Sequence, residues 1–256
     1  MWTTGLVTVS FRPLSPQQVA TLAAGAGLAA LEWGGDVHVP PNDPENARKT
    51  AALTADAGLK TAAYGSYYRL GTEKDPKEAF ARVLETACLL DAPVIRLWGG
   101  HKGSKELTEA EWAALAAEGR TLTEMARAVG RTLSLECHVG TLTDDYMSAL
   151  RFLHDVPDMT MYWQPNQFHD EVYNRAAAAA LAPVTTNIHV FQWDEHARYP
   201  LAEGEALWRD YVRPFAGQDH ALLLEFMHDD RPESLPETAK TLRRIAAAVN
   251  GEENVR

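Results

Sequence analysis

Short apolar runs alternate with longer stretches of helical periodicity along the whole chain. Four junctions share one grammar: "AGAGLAALEWGG", "ADAGLKTAAYGS", "LLDAPVIRLWGG" and "RAVGRTLSLECH". Each is an Ala- or Leu-rich helix end, a breaker, and then an apolar run. Gly27, Gly58 and Gly130 stand where a helix C-terminus wants a left-handed residue, and Pro93 is expected to stop its helix. The runs predict strands at about 4–10, 28–34, 59–66, 94–100, 132–138, 159–165, 185–193 and 221–227. The intervening patterns predict helices at about 15–25, 43–57, 75–90, 108–129, 143–153, 170–182, 203–213 and 233–249. Ser15 before Pro16 and Asp75 before Pro76 are helix starts, a capping side chain followed by the residue that tolerates the first turn.

The apolar runs are nearly continuous, as parallel strands covered on both faces must be. Eight such βα units in 256 residues have the size and rhythm of a (β/α)8 TIM barrel, an α/β fold, here expected as a single domain over 1–256. An open doubly wound sheet is the competing architecture, but no G-x-G-x-x-G loop follows the first strand.

Polar residues interrupt the later strands on alternate positions. In "LSLECH", Leu133, Leu135 and Cys137 share one face, and Ser134, Glu136 and His138 share the other. The apolar set belongs against the helices, so Cys137 is read as a packing residue and Glu136 points into the barrel. The same alternation sends Tyr162 and Gln164, Asn187 and His189, and Leu223 and Glu225 inward. Glu136, Gln164, His189 and Glu225 thus face one interior from the C-terminal ends of strands 5 to 8, the end that carries TIM-barrel active sites. Two carboxylates, an imidazole and an amide facing one interior need compensation. A divalent metal supplies it most simply, and this oxygen-rich set with one nitrogen suits Mn²⁺, Mg²⁺ or Co²⁺, with Zn²⁺ as a further choice. The alternative is a metal-free hydrogen-bond network with a buried ion pair to Arg96.

Composition narrows the partners. A formal net charge of −11 disfavours nucleic acid and anionic membrane surfaces, both of which reward Lys and Arg. Cys88 and Cys137 have no metal-site spacing and no disulfide framework, as in a reducing cytoplasm. The N-terminus lacks the basic-then-apolar pattern of a signal peptide, and no apolar tract is long enough for a membrane span. A cytoplasmic location is therefore expected.

Taken together, "AGLAALEWGGDVHVP", "LECH", "YWQPN", "NIHVFQW" and "LLEFM" resemble the xylose-isomerase-like sugar phosphate isomerase/epimerase superfamily of TIM barrels. The resemblance covers nearly the whole chain. It implies a divalent ion, Mn²⁺ first, held by Glu136, Gln164, His189 and Glu225. Gln164 stands where the ketose epimerases have Asp, so its amide oxygen would coordinate with one charge fewer. The resemblance further implies proton transfer beside a carbonyl through a metal-stabilised ene-diolate, with Glu136 and Glu225 as the acid/base pair on a sugar or sugar phosphate. A small carbohydrate is the implied partner, and similar barrels often form homo-oligomers.

His38, Tyr64, Arg96, Trp98 and His138 are the candidate substrate contacts: His38 from the loop after strand 2, Tyr64 with Ser66 and Tyr68 from strand 3, Arg96 and Trp98 from strand 4, and His138 one pleat above Glu136. Arg96 is equally suited to an ion pair with Glu32 on strand 2. Trp33 should face the helices. Three other activities compete: an inosose or dehydroshikimate-type dehydratase on the same site, a catalytically silent sugar-binding barrel, and phosphodiester hydrolysis as in endonuclease IV barrels. The last wants more His and Asp ligands than the strands offer, and the net charge opposes DNA.

Overall fold

The computed structural model describes residues 2–253. Eight strands alternate with eight helices and close into an all-parallel barrel in sequence order. The strands are β1 (Thr3–Val7), β2 (Ala30–Gly34), β3 (Lys60–Arg69), β4 (Val94–Trp98), β5 (Thr132–Glu136), β6 (Thr160–Trp163), β7 (Thr185–Val190) and β8 (Ala221–Leu224). The helices are α1 (Pro16–Gly25), α2 (Pro44–Asp56), α3 (Pro76–Leu89), α4 (Glu109–Ala128), α5 (Tyr146–Asp155), α6 (Glu171–Leu181), α7 (Glu205–Val212) and α8 (Leu235–Glu253). Closure comes from β1 pairing with β8, Thr3 opposite Ala221 and Leu6 opposite Leu224. No helix among the described residues is long and apolar enough to cross a membrane.

The predicted helix signals act as expected. The Ser15 side chain accepts from the Gln18 amide in a capping box, and Asp75 accepts from Glu78, each followed by proline in the first turn. Caps of this kind contribute about 1 kcal/mol each. Gly27, Gly58 and Gly130 take φ of 73°, 72° and 72°. At the third junction the left-handed position belongs to Asp91, at φ 51°, two residues before Pro93. Proline forbids the next turn, but the reversal itself is made by an aspartate, one of the few side chains that tolerate that region.

Every strand except β3 is shorter than predicted. β1 stops at Val7 and becomes a 3₁₀ turn, and β8 stops at Leu224 just before Phe226, which sits at φ 55°. Glu225 lies one residue past β8, yet its amide still donates to the Val190 carbonyl at 3.0 Å. The apolar pattern continues through these residues because they line the barrel mouth.

Two apolar clusters form. The larger lies between barrel and helices and includes Trp33, Tyr64, Leu133, Leu135 and Trp163. Trp33 donates to Thr54 Oγ1 at 3.1 Å there. The smaller fills the barrel with Val7, Val9, Ala63, Tyr162, Ala221 and Leu223.

His38 also serves this framework. Its Nδ1 lies 3.0 Å from Thr8 Oγ1 and its Nε2 3.0 Å from the Leu14 carbonyl, with the ring buried. Desolvation lowers its pKa despite the Leu14 carbonyl and Asp36 acting the other way. The folded state therefore favours the neutral ring. Its contribution to stability is complete above the unfolded value near 6.5 and is lost as pH falls through the lower folded value. Urea midpoints are expected to drop between pH 7 and 5, and His38→Gln to flatten that drop. Equal slopes in the two proteins would contradict this account.

Candidate active site

Six strand ends contribute to one polar cluster at the barrel mouth. Glu32 comes from β2, Arg96 and Trp98 from β4, Glu136 from β5, Gln164 from just past β6, His189 from β7 and Glu225 from just past β8. Glu32, Arg96, Glu136, His189 and Glu225 are all buried.

Arg96 is the hub. Its Nε donates to Glu32 Oε1 at 2.7 Å, and its Nη1 donates to Glu136 Oε2. Trp98 Nε1 donates to that same Glu136 oxygen. The other Glu136 oxygen lies 3.6 Å from His189 Nδ1, and Glu225 Oε2 lies 3.5 Å from it. Gln164 Oε1 is 3.1 Å from His189 Nδ1, while Glu32 Oε2 is 3.2 Å from His189 Nε2. Glu32 thus orients both cationic side chains at once.

The electrostatics follow from burial and proximity. Burial alone would raise the Glu136 carboxyl, but Arg96 and His189 override it and hold the group well below the carboxylate range. Burial and the neighbouring carboxylates leave Glu225 raised, although His189 and Arg96 oppose this. Burial would also discharge His189, but Glu225 and Glu32 push its pKa up to about 10. Three buried carboxylates face a single guanidinium. The two negative charges left over are met by protons on His189 and Glu225 or, equivalently, by one divalent cation.

The donor chemistry fits such an ion. One atom each from Glu136, His189 and Glu225 lie within 4.8 Å of one another, and Gln164 Oε1 adjoins them. With Nε2–H donating to Glu32, a deprotonated His189 Nδ1 would turn its lone pair toward the acid pair, a common arrangement for ligating imidazoles.

Above the cluster lies a cavity of about 240 Å³. Arg96, Trp98, Glu136, His138, Gln164 and Glu225 line it, so most of the sequence candidates meet there. His38, Tyr64 and the fully buried His189 do not. His38 is turned to Thr8 and Leu14, as described. Tyr64 is buried on the helix side, where its hydroxyl donates to the Val39 carbonyl at 2.8 Å. Ser66 and Tyr68 follow it outward, bonding to the Arg96 carbonyl and to Glu118.

The inward face of β3 is instead Ala63, Gly65 and Tyr67. Gly65 is small because Arg96 crosses over it: a Cβ there would lie 2.6 Å from Arg96 Nη2 and 2.7 Å from Glu32 Oε1. Gly65→Ala is therefore expected to destabilise by about 1–3 kcal/mol through overpacking, read as a lower melting temperature. An unchanged melting curve would contradict that crossing.

Tyr67 was not foreseen. It lines the cavity at φ 60°, and Arg12 Nη2 donates to its hydroxyl at 2.6 Å. Its signal was the two small residues at the preceding inward positions. Arg12, Asn166, Trp193 and Phe226 also line the cavity from loops, without strand periodicity to mark them. Cys137 packs against the helix-side core, and burial, with Glu136 adding to it, pushes its thiol up to about 12. It is no nucleophile at neutral pH.

The chain belongs to the xylose isomerase-like TIM barrel family, whose model matches residues 20–246. Solved structures share the fold throughout. An L-ribulose 3-epimerase superposes with a TM-score of 0.77 at 15% identity, over 100% of this chain and 98% of that one. A probable 3-DHS dehydratase, AsbF of Bacillus anthracis, gives 0.77 at 20% identity, over 95% and 99%. A xylose isomerase-like TIM barrel protein from Mycobacterium smegmatis, in complex with magnesium, gives 0.75 at 12% identity, over 97% and 98%. Structures that share this fold thus include an epimerase and a probable dehydratase. No curated protein matches the sequence.

Proposed function

We propose that this protein is a divalent-metal-dependent isomerase or epimerase of a small carbohydrate, moving a proton at the carbon beside a carbonyl. One observation carries this reading: Glu136 and Glu225 converge on His189 Nδ1 from two strand ends, at 3.6 Å and 3.5 Å, on the floor of a cavity. Glu136, Gln164, His189 and Glu225 would hold the ion, with Mn²⁺ favoured. When bound, such an ion supplies Lewis-acid stabilisation of the negative charge that develops on the substrate oxygens.

The chain's own groups do the rest. One carboxylate takes the α-proton and the other returns a proton, to the opposite face of the same carbon for epimerisation or to the neighbouring carbon for isomerisation. Arg96 and Trp98 fix the Glu136 carboxylate by two donors to one oxygen, leaving its other oxygen to act. Glu32 fixes the His189 ring. The aromatic side chains of Trp98, Trp193 and Phe226 shield the cavity and offer apolar faces to a sugar ring.

The reading is tested by incubating the Mn²⁺-loaded protein with ketoses in D₂O and following the α-hydrogen by proton NMR. Deuterium should enter the carbon beside the carbonyl of at least one sugar. A protein with bound ion and no exchange across ketopentoses and ketohexoses would refute it. His138 favours a second reading, since its ring lines the cavity 5.2 Å from Trp98 and is placed to protonate a departing hydroxyl. Such a dehydratase would announce itself by the ultraviolet absorbance of an enone.

A further inference from the structure

The cavity above the acid pair is not confined to the barrel mouth. Besides Glu136 and Glu225 it is bordered by Cys137, Trp163, Ala177 and Leu181. Cys137 and Trp163 pack with the helix-side core, and Ala177 and Leu181 are buried residues of α6. A void that touches both sets passes over the ends of β5 and β6, at Glu136 and Trp163, and enters the layer between β6 and α6. The alanine run at 176–180 gives that layer its room. The first turns of α6 spend their larger side chains on the loops. Tyr173 donates to Asp145 Oδ2 at 3.2 Å. Asn174 donates to the carbonyls of Asn166 and His169 at 3.1 Å and 3.3 Å, and accepts from the Asn166 amide at 2.7 Å. The next α6 residue to meet the cavity is Ala177, a single methyl group.

The polar groups of this side arm are spent on the chain itself, with one exception. Thr143 Oγ1 donates to the Glu136 carbonyl at 2.5 Å. Trp163 Nε1–H, fully buried, has no acceptor among the described residues. Trp33, Trp98, Trp112 and Trp208 each donate to one. Buried donors without partners are rare, because their lost hydration is not returned. The rim on this side is apolar as well. Val139 lines the cavity and is exposed. Met147, Phe168 and Val172 are exposed too, and each follows or precedes a lining residue in sequence, namely Tyr146, Gln167 and Tyr173.

We infer that this side arm is a second binding subsite, for an aromatic or branched aliphatic group that bears one hydrogen-bond acceptor for Trp163 Nε1–H. Sites of this kind are apolar surfaces with a single placed polar group. A polyol chain would leave its hydroxyls unpaired against Ala177, Leu181 and the Cys137 thiol. The ligand that fills the whole cavity therefore carries a hydroxyketone end over Glu136 and Glu225 and an apolar arm along β6. The polar end rests on the proposed proton transfer; the arm rests on the cavity walls alone.

The test is a calorimetric titration of the Mn²⁺-loaded protein with three hydroxyketones. They are dihydroxyacetone, 1-hydroxy-3-phenoxypropan-2-one, and 1-hydroxy-4-phenylbutan-2-one, in which a methylene replaces the ether oxygen. Both aryl compounds are expected to bind about ten-fold or more tighter than dihydroxyacetone, as burial of a phenyl ring requires. Ala177→Leu fills the side arm. It should melt at or above the parent and erase most of the aryl gain, read as the affinity ratio to dihydroxyacetone. Absence of an aryl gain in the parent would overturn the inference, and so would a gain that survives Ala177→Leu. A variant that melts far below the parent would do the same, since α6 would then have no room to give. Trp163→Phe should shift the ether-to-methylene affinity ratio several-fold toward the methylene compound. An unchanged ratio would remove the acceptor from the inference. Deuterium uptake on the same samples keeps the two readings apart. Aryl binding without exchange would sink the proton transfer and leave the subsite standing, and exchange without an aryl gain would do the reverse.

Discussion

Glu225→Gln should lower kcat/KM for the ketose substrate by about 10³-fold while leaving the melting temperature at or above that of the unaltered protein. The first half follows from the proton traffic. A carboxylate that gives and takes a proton in the transition state contributes on the order of 10²–10⁴-fold, and an amide of the same shape does neither. The second half follows from the charges. Glu225 is buried beside Glu136 and Glu32, and its carboxyl is already raised by burial and by those like charges. A neutral isostere relieves the repulsion and keeps the packing. Glu136→Gln should lose activity by a similar factor but also melt lower, because the negative charge to which Arg96 and Trp98 both donate would be lost. Steady-state kinetics with matched thermal melts separates the cases. If Glu225→Gln kept more than a tenth of the activity, the acid/base assignment would be wrong. If it melted far below the parent, Glu225 would be a structural residue.

The barrel was legible because its cause is local and repeated. Each βα unit carries its own breaker, cap and apolar run, so errors in one unit do not reach the next. The inward residues of β5 to β8 were legible for a related reason. Those strands alternate strictly, and the helix-facing member of each pair is unambiguously apolar. β3 defeated the same method. Tyr64, Ser66 and Tyr68 offer the hydroxyls that chemistry invites one to place in a site, and Ala63 and Gly65 offer nothing. The decisive information was steric: the small residues make room for Arg96, which lies beyond a whole helix in sequence but is Gly65's partner in the β3–β4 pairing. A register shift between Leu31 and Glu32 in the β2–β3 pairing adds a change of phase that periodicity does not record. His38 was misplaced because a loop has no periodicity at all; two hydrogen bonds to Thr8 and Leu14 decide its direction. The ion pair between Arg96 and Glu32 could be anticipated from two inward charges. That one guanidinium also grips Glu136, while Glu32 also grips His189, depends on distances across the barrel that only closure sets.

That closure makes Arg96→Met the most destabilising single change in the cluster. Arg96 is buried at 2% exposure, and its removal leaves Glu32 and Glu136 facing each other in a medium that solvates neither. Breaking one partner of a buried ion pair costs about 3–5 kcal/mol, which for a chain of this length lowers the melting temperature by roughly 6–20 °C. Pairing the change with Glu32→Gln removes one of the two orphaned charges, so the double variant should melt above Arg96→Met alone even though it carries more substitutions. Divalent-cation affinity separates two origins of the same stability. Glu32→Gln alone weakens the acceptor that aligns His189, so calorimetric Mn²⁺ binding should fall about 10–100-fold, while Arg96→Met, which leaves two unpaired carboxylates near the ligands, should bind the ion at least as tightly as the parent. A double variant no more stable than Arg96→Met would mean that Arg96 contributes through packing of its stem and not through charge. Mn²⁺ affinity indifferent to Glu32→Gln would mean that His189 is held by its strand alone.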